Sequence, residues 1–189
     1  VHGYLSDYIK AIECYDKALK IKPNFLNALI NKAQLKEKLN LNDDAIKILK
    51  TAINYYPNDY FLHYTIATLY QFLGNFRNSH LHYQKALSIK PDATEIYRLM
   101  SMTKKYIKND KDFEIFDNKL KDINLTKIQK MHLYFALGKA FDDIKDFDNS
   151  FSNYKKGNDI KDKLLKFKLK PDETRLANIK KSFVSKFNN

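Results

Sequence analysis

Residues 79–91 read SHLHYQKALSIKP, and the same cadence stands 34 residues earlier as AIKILKTAINYYP (45–57) and 34 earlier again as AIECYDKALKIKP (11–23). Each copy opens on a small residue (Ala11, Ala45, Ser79) and carries a large one four positions on (Tyr15, Leu49, Tyr83). A second small residue follows (Ala18, Ala52, Ala86), and then a closing proline (Pro23, Pro57, Pro91). Four columns that agree at one period mark a chain of stacked supersecondary units. The small residues let two helices approach to roughly 8–10 Å, and the large ones fill the space against the next unit. Proline lacks the amide donor that a helix needs and drives its predecessor, here Lys22, Tyr56 or Lys90, out of the helical region. The chain must stop and reverse there.

Working outward, Ala33 and Ala67 supply the small position of a preceding helix, Tyr70 follows three residues after Ala67, and Gly74-Asn75-Phe76 fits the turn between the two helices. Composition agrees. Only four Gly and four Pro are spread over 189 residues, and 44% of the chain is hydrophobic, so long helices and a sizeable core are expected. The predicted fold is all-α, a right-handed α-solenoid of antiparallel helix pairs. Because Ala11 already lies on a second helix, most of its first helix would precede Val1. The sequence therefore predicts a chain that enters mid-repeat, with its true N-terminus missing.

After Pro91 the cadence thins. Residues 93–125 keep apolar residues at helical spacing (Ile96, Leu99, Met100; Phe113, Phe116, Leu120), with a turn expected at Lys108-Asn109-Asp110. From Ala67 to the matching small residue Gly138 is 71 residues, two periods plus three, which leaves room for one divergent, enlarged repeat. YFALGKAFDDIKDFDNSFSNY (134–154) then restores the columns, with Gly138, Ser150 and Tyr154 in place. The predicted organisation is repeats over 1–92, a divergent helical pair over 93–125, a further repeat with an extended second helix over 126–167, and a terminal helix over 168–189.

The columns around Ala45, Leu49, Ala52 and Pro57 resemble the second helix of the tetratricopeptide repeat. A second resemblance rests on Ala136-Leu137-Gly138-Lys139-Ala140 with Asp142-Asp143, and on Gly157-Asn158. These phrases are similar to the region just upstream of the catalytic domain in bacterial proteins that fuse such repeats to a sulfotransferase. That resemblance implies a domain beyond Asn189 that binds the sulfate donor PAPS, and it implies no cofactor within these residues. On this view Gly157-Asn158 ends the array and a long helix runs on toward another domain.

The residues themselves carry little chemistry. The net charge of +12 invites a nucleic-acid reading, but only Arg77, Arg98 and Arg175 offer the planar fork that reads phosphates and bases best, so the lysines are assigned to solvated helix faces. The single Cys14 forms no internal disulfide, and His63, His80, His82 and His132 show no zinc-ligand spacing. A cytoplasmic location is expected. Lys139 after Gly138 lacks the frame of a phosphate-binding loop. Asp142, Asp143, Asp146 and Asp148 lack the turn glycine of a calcium loop and are expected to cap a helix. No apolar run is long enough to span a membrane, and no nucleophile has an activating base.

What remains is binding of a protein or peptide. By the geometry of the family that the chain resembles, the first helices line the inner face. The candidate residues are Asn27, Ile30, Gln34 and Lys38, then Phe61, Tyr64, Thr68 and Phe72, then His132, Phe135 and Lys139. Aromatics interleaved with amides suit an extended peptide or a helix. Phe61 and Thr65 stand where a clamp for a C-terminal carboxylate would need basic residues, which argues against that mode.

Overall fold

The structure, a computed structural model, describes residues 2–165. The terminal helix expected over 168–189 lies outside the described residues. Within them the chain forms α1 (His2–Ile21), α2 (Leu26–Lys38), α3 (Asn42–Tyr55), α4 (Tyr60–Phe72), α5 (Phe76–Ile89), α6 (Thr94–Ser101), α7 (Lys111–Leu120), α8 (Lys127–Asp143) and α9 (Phe147–Leu165). No strand occurs among the described residues. The chain divides into two compact units, Val1–Ile107 and Lys108–Asn189.

In the first unit the principal helix contacts run between sequence neighbours, from α1 on α2 through to α5 on α6. This is the nearest-neighbour stacking of a solenoid. A cluster of Leu29 and Ala33 from α2, Ala45, Ile46, Leu49 and Ala52 from α3, and Leu62, Ile66 and Leu69 from α4 forms its core. Each fully buried Leu or Ile there contributes about 1.5–3 kcal/mol relative to exposure. The small columns behave as their size requires: Ala45, Ala52, Ala67, Ser79 and Ala86 are wholly buried, as is Tyr83. Where the column holds serine, its hydroxyl is used. Ser79 Oγ donates to the Ala67 carbonyl at 2.8 Å.

The prolines act as their chemistry dictates. Tyr56 (φ −131°, ψ 65°) and Lys90 (φ −130°, ψ 84°), each just before a proline, leave the helical region and end α3 and α5. Asp59 then caps α4 by accepting from the Phe61 amide at 2.9 Å, and Asn75 caps α5 by accepting from the Asn78 amide at 3.2 Å.

The second unit repeats the same hairpin in α8 and α9, with α7 packed on α8. Phe113 of α7 meets Phe141 of α8 at 4.9 Å between ring centroids. Ser150 Oγ donates to the Gly138 carbonyl at 2.9 Å, the counterpart of Ser79 with Ala67. A β-carbon on Gly138 would fall 2.7–2.9 Å from the ring of Tyr154, so the glycine is what lets that ring lie on α8. Gly157 does not break the helix: α9 passes through Gly157-Asn158 to Leu165. Gly157 is buried against Phe135, whose ring would sit 3.0–3.2 Å from an added β-carbon.

Three hairpins turn by one device. Asn40 (φ 58°), Gly74 (φ 73°) and Lys145 (φ 63°) occupy the same left-handed position just past α2, α4 and α8. In each case the next residue's amide reaches back five positions: Leu41 to Lys36 at 2.8 Å, Asn75 to Tyr70 at 2.8 Å, and Asp146 to Phe141 at 3.0 Å. This is the Schellman closure, which satisfies carbonyls at a helix end and favours glycine. Nothing lies within 4 Å of a β-carbon placed on Gly74, so its conformation alone sets the cost of a side chain there. Lys145→Gly should therefore raise, and Gly74→Ala lower, the unfolding free energy by about 1 kcal/mol each. Urea denaturation followed by circular dichroism measures both.

Candidate functional site

Asn27, Ile30, Gln34 and Lys38 lie on α2, and Phe61, Tyr64, Thr68 and Phe72 lie on α4. Spacings of three and four residues put each set in one stripe, and the second set is the first displaced by 34. Asn27, Gln34 and Lys38 are exposed, whereas Ile30 leans on the core cluster. On α4, Phe72 is 75% exposed and Phe61 38%, with Tyr64 and Thr68 half-buried between them.

The α4 stripe is held from below. Phe61 and Tyr64 stack with centroids 6.0 Å apart, and Tyr64 meets the buried Tyr83 of α5 at 6.4 Å. The Tyr64 hydroxyl donates to Glu95 Oε1 of α6 at 3.2 Å. Burial first, and the Glu95 carboxylate second, raise its pKa above the ordinary phenol value, so it remains a donor. Thr68 Oγ1 turns inward to the Thr65 carbonyl at 2.8 Å. Lys38 places its ammonium 5.6 Å from the Tyr8 ring of α1.

His132, Phe135 and Lys139 belong to α8 in the second unit. There Phe135 packs on Tyr154 at 6.4 Å and against Gly157, and Lys139 pairs with Asp143 one turn on. His132 is half-buried and engaged.

Two features escaped the sequence reading. The first is that α6 continues the stripe, since Glu95 and Arg98 stand 34 residues after Phe61 and Tyr64. The period itself was the available signal. The second is a contact between His63 of α4 and His82 of α5, Nδ1 to Nδ1 at 3.3 Å. Ser79 pairs with Ala67 across the same hairpin, and positions 63 and 82 straddle nearly the same midpoint. The antiparallel register therefore contained this pair, although the spacing of the histidines along the sequence gave no sign of it. Tyr70 flanks His82 at 5.8 Å, with Lys50 above the Tyr70 ring at 5.5 Å. Burial lowers the pKa of His63, and burial, His63 and Lys50 lower that of His82 to about 4. Both rings are neutral at pH 7.

Models of the family described as "Tetratricopeptide repeat" match residues 5–69 and 62–93. Residues 5–93 are tetratricopeptide repeats. Anaphase-promoting complex subunit 7 of Arabidopsis thaliana is 30% identical over 92 residues, 48% of this chain and 16% of that protein. Among solved structures, the crystal structure of MamA is 17% identical with a TM-score of 0.65, covering 87% of this chain and 94% of that one. YrrB, described as a tetratricopeptide repeat protein with an unusual peptide-binding site, is 16% identical with a TM-score of 0.57, covering 95% of this chain and 86% of that one. At these identities the likeness shows the helical-repeat fold. No helix among the described residues is long and apolar enough to cross a membrane.

The exposure difference along α4 separates surface from core. Phe72→Ala should change stability by less than about 0.5 kcal/mol, whereas Leu69→Ala, three residues away and buried, should cost about 2–5 kcal/mol. Chemical denaturation of the two variants checks this.

Proposed function

We propose that the chain is a protein-interaction scaffold whose repeats take an extended peptide or a helix of a partner along the α2 and α4 stripes. The observation that carries this is the α4 stripe, where Phe61 and Phe72 are exposed on either side of a Tyr64 fixed by Tyr83 and Glu95. Exposed rings on a rigid helix bury large apolar area at little entropic cost, which is what binding anchors do. Asn27 and Gln34 on α2 add amides that donate to and accept from a peptide backbone. The peptide-binding site named for YrrB, and the subunit role named for the plant relative, agree with this reading.

A sulfotransferase activity is not part of the proposal. Of the residues on which that resemblance rests, Gly138 and Gly157 pack against Tyr154 and Phe135.

Selection of binders from a random peptide library, followed by affinity measurement, tests the reading. Phe61→Ala/Phe72→Ala and Gln34→Ala should weaken selected peptides tenfold or more. Leu81→Ala, on the exposed side of α5, should leave them unchanged. Peptides indifferent to the α2 and α4 variants would refute the proposed face.

A further inference from the structure

The His63–His82 contact has the spacing of a metal chelate. Two nitrogens bound to one tetrahedral ion at about 2.0–2.1 Å lie about 3.3–3.4 Å apart, and the two Nδ1 atoms stand 3.3 Å apart. They come from different helices of one packed hairpin, so the geometry is fixed by the fold. His63 is already in the tautomer of a ligand. Its Nε2–H donates to the Pro57 carbonyl at 3.3 Å, which leaves the Nδ1 lone pair facing His82. A backbone carbonyl on the far nitrogen is the usual support of a metal-bound imidazole. Without an ion, His82 donates its Nδ1–H to that lone pair. With one, His82 keeps its proton on Nε2, a tautomer change that alters no charge.

We propose that His63 and His82 form a two-histidine site for a divalent ion that favours imidazole, such as Zn²⁺ or Ni²⁺, with solvent completing the coordination sphere. No group of three His, Cys, Asp or Glu side chains gathers as a metal site among the described residues. Lys50 acts electrostatically on His82 and Lys85 on His63, so the site is weak. Two nitrogen donors and no carboxylate exclude Ca²⁺ and Mg²⁺, which demand oxygen. A bound ion ties α4 to α5, the hairpin whose outer stripe holds Phe61 and Phe72.

Calorimetric titration with ZnCl₂ tests the site in tag-free Cys14→Ser protein, since the exposed Cys14 thiol binds zinc by itself. The expected result is one ion per chain, at least tenfold weaker in His82→Gln, changed less than twofold in His80→Gln, and no heat with MgCl₂. A second reading that needs no substitution at the site comes from ¹⁵N spectra of the histidine rings of the Cys14→Ser parent. Zinc should move the Nδ1 resonances of two rings and, through the tautomer change, the Nε2 resonance of one of them. The proposal is overturned by an absence of zinc binding up to millimolar concentration, by binding that His82→Gln retains, or by spectra in which the Nδ1 resonances of these rings stay in place.

Discussion

The repeat hairpins depend on one steric constraint: the first helix meets the second across a small residue. Ala33 lies with Leu49 in one core cluster, and Ala67 beneath the hydroxyl of Ser79. The pair α8 and α9 goes further, with Gly138 bare beneath the Tyr154 ring. The large residue of each pair fills what the small one leaves, so size is traded across the hairpin at nearly constant packing density. Local chemistry supports this trade at both ends, through the Schellman turns at Asn40, Gly74 and Lys145 and the prolines that stop α3 and α5.

A stack built by contacts between neighbours leaves one stripe of each first helix outside the core. In the first unit that stripe carries rings and amides, and its Tyr64 is braced by Tyr83 of α5 and by Glu95 of α6. The lysine excess has a structural use as well. Lys22, Lys38, Lys50, Lys90, Lys104 and Lys156 each set an ammonium over an aromatic face. Five of the six rings are tyrosines, so lysine and tyrosine enrichment meet in these contacts.

The fold was legible because steric columns repeat: Ala45, Leu49, Ala52 and Pro57 are forced by packing and by backbone geometry, and both recur at the period. The turns at Gly74 and Asn109 followed from residues that tolerate positive φ, whereas Lys145 in the same conformation gave no signal, because lysine has no preference for positive φ and is held there by the closure around it. Gly157 reads in sequence as the end of the array, and its buried contact with Phe135 inside α9 was not legible, since a glycine's neighbours are invisible along the chain. Of the candidate site, the positions on α2 and α4 came from the geometry of the family that the chain resembles, and the 34-residue period carries one set onto the other. The period placed Glu95 on the stripe and the antiparallel register set His63 opposite His82, but the hydrogen bond and the ring contact they make depend on side-chain reach between helices.

A double-mutant cycle at Gly138 and Tyr154 tests the steric rule most directly. Gly138→Ala should destabilise the protein when Tyr154 is present, because the ring must move from a 2.7 Å contact. In the Tyr154→Leu background the same change should stabilise it by up to about 1 kcal/mol, the ordinary gain of alanine over glycine in a helix. Equal effects of Gly138→Ala in both backgrounds would contradict the account, since the glycine would then be answering to something other than the ring above it.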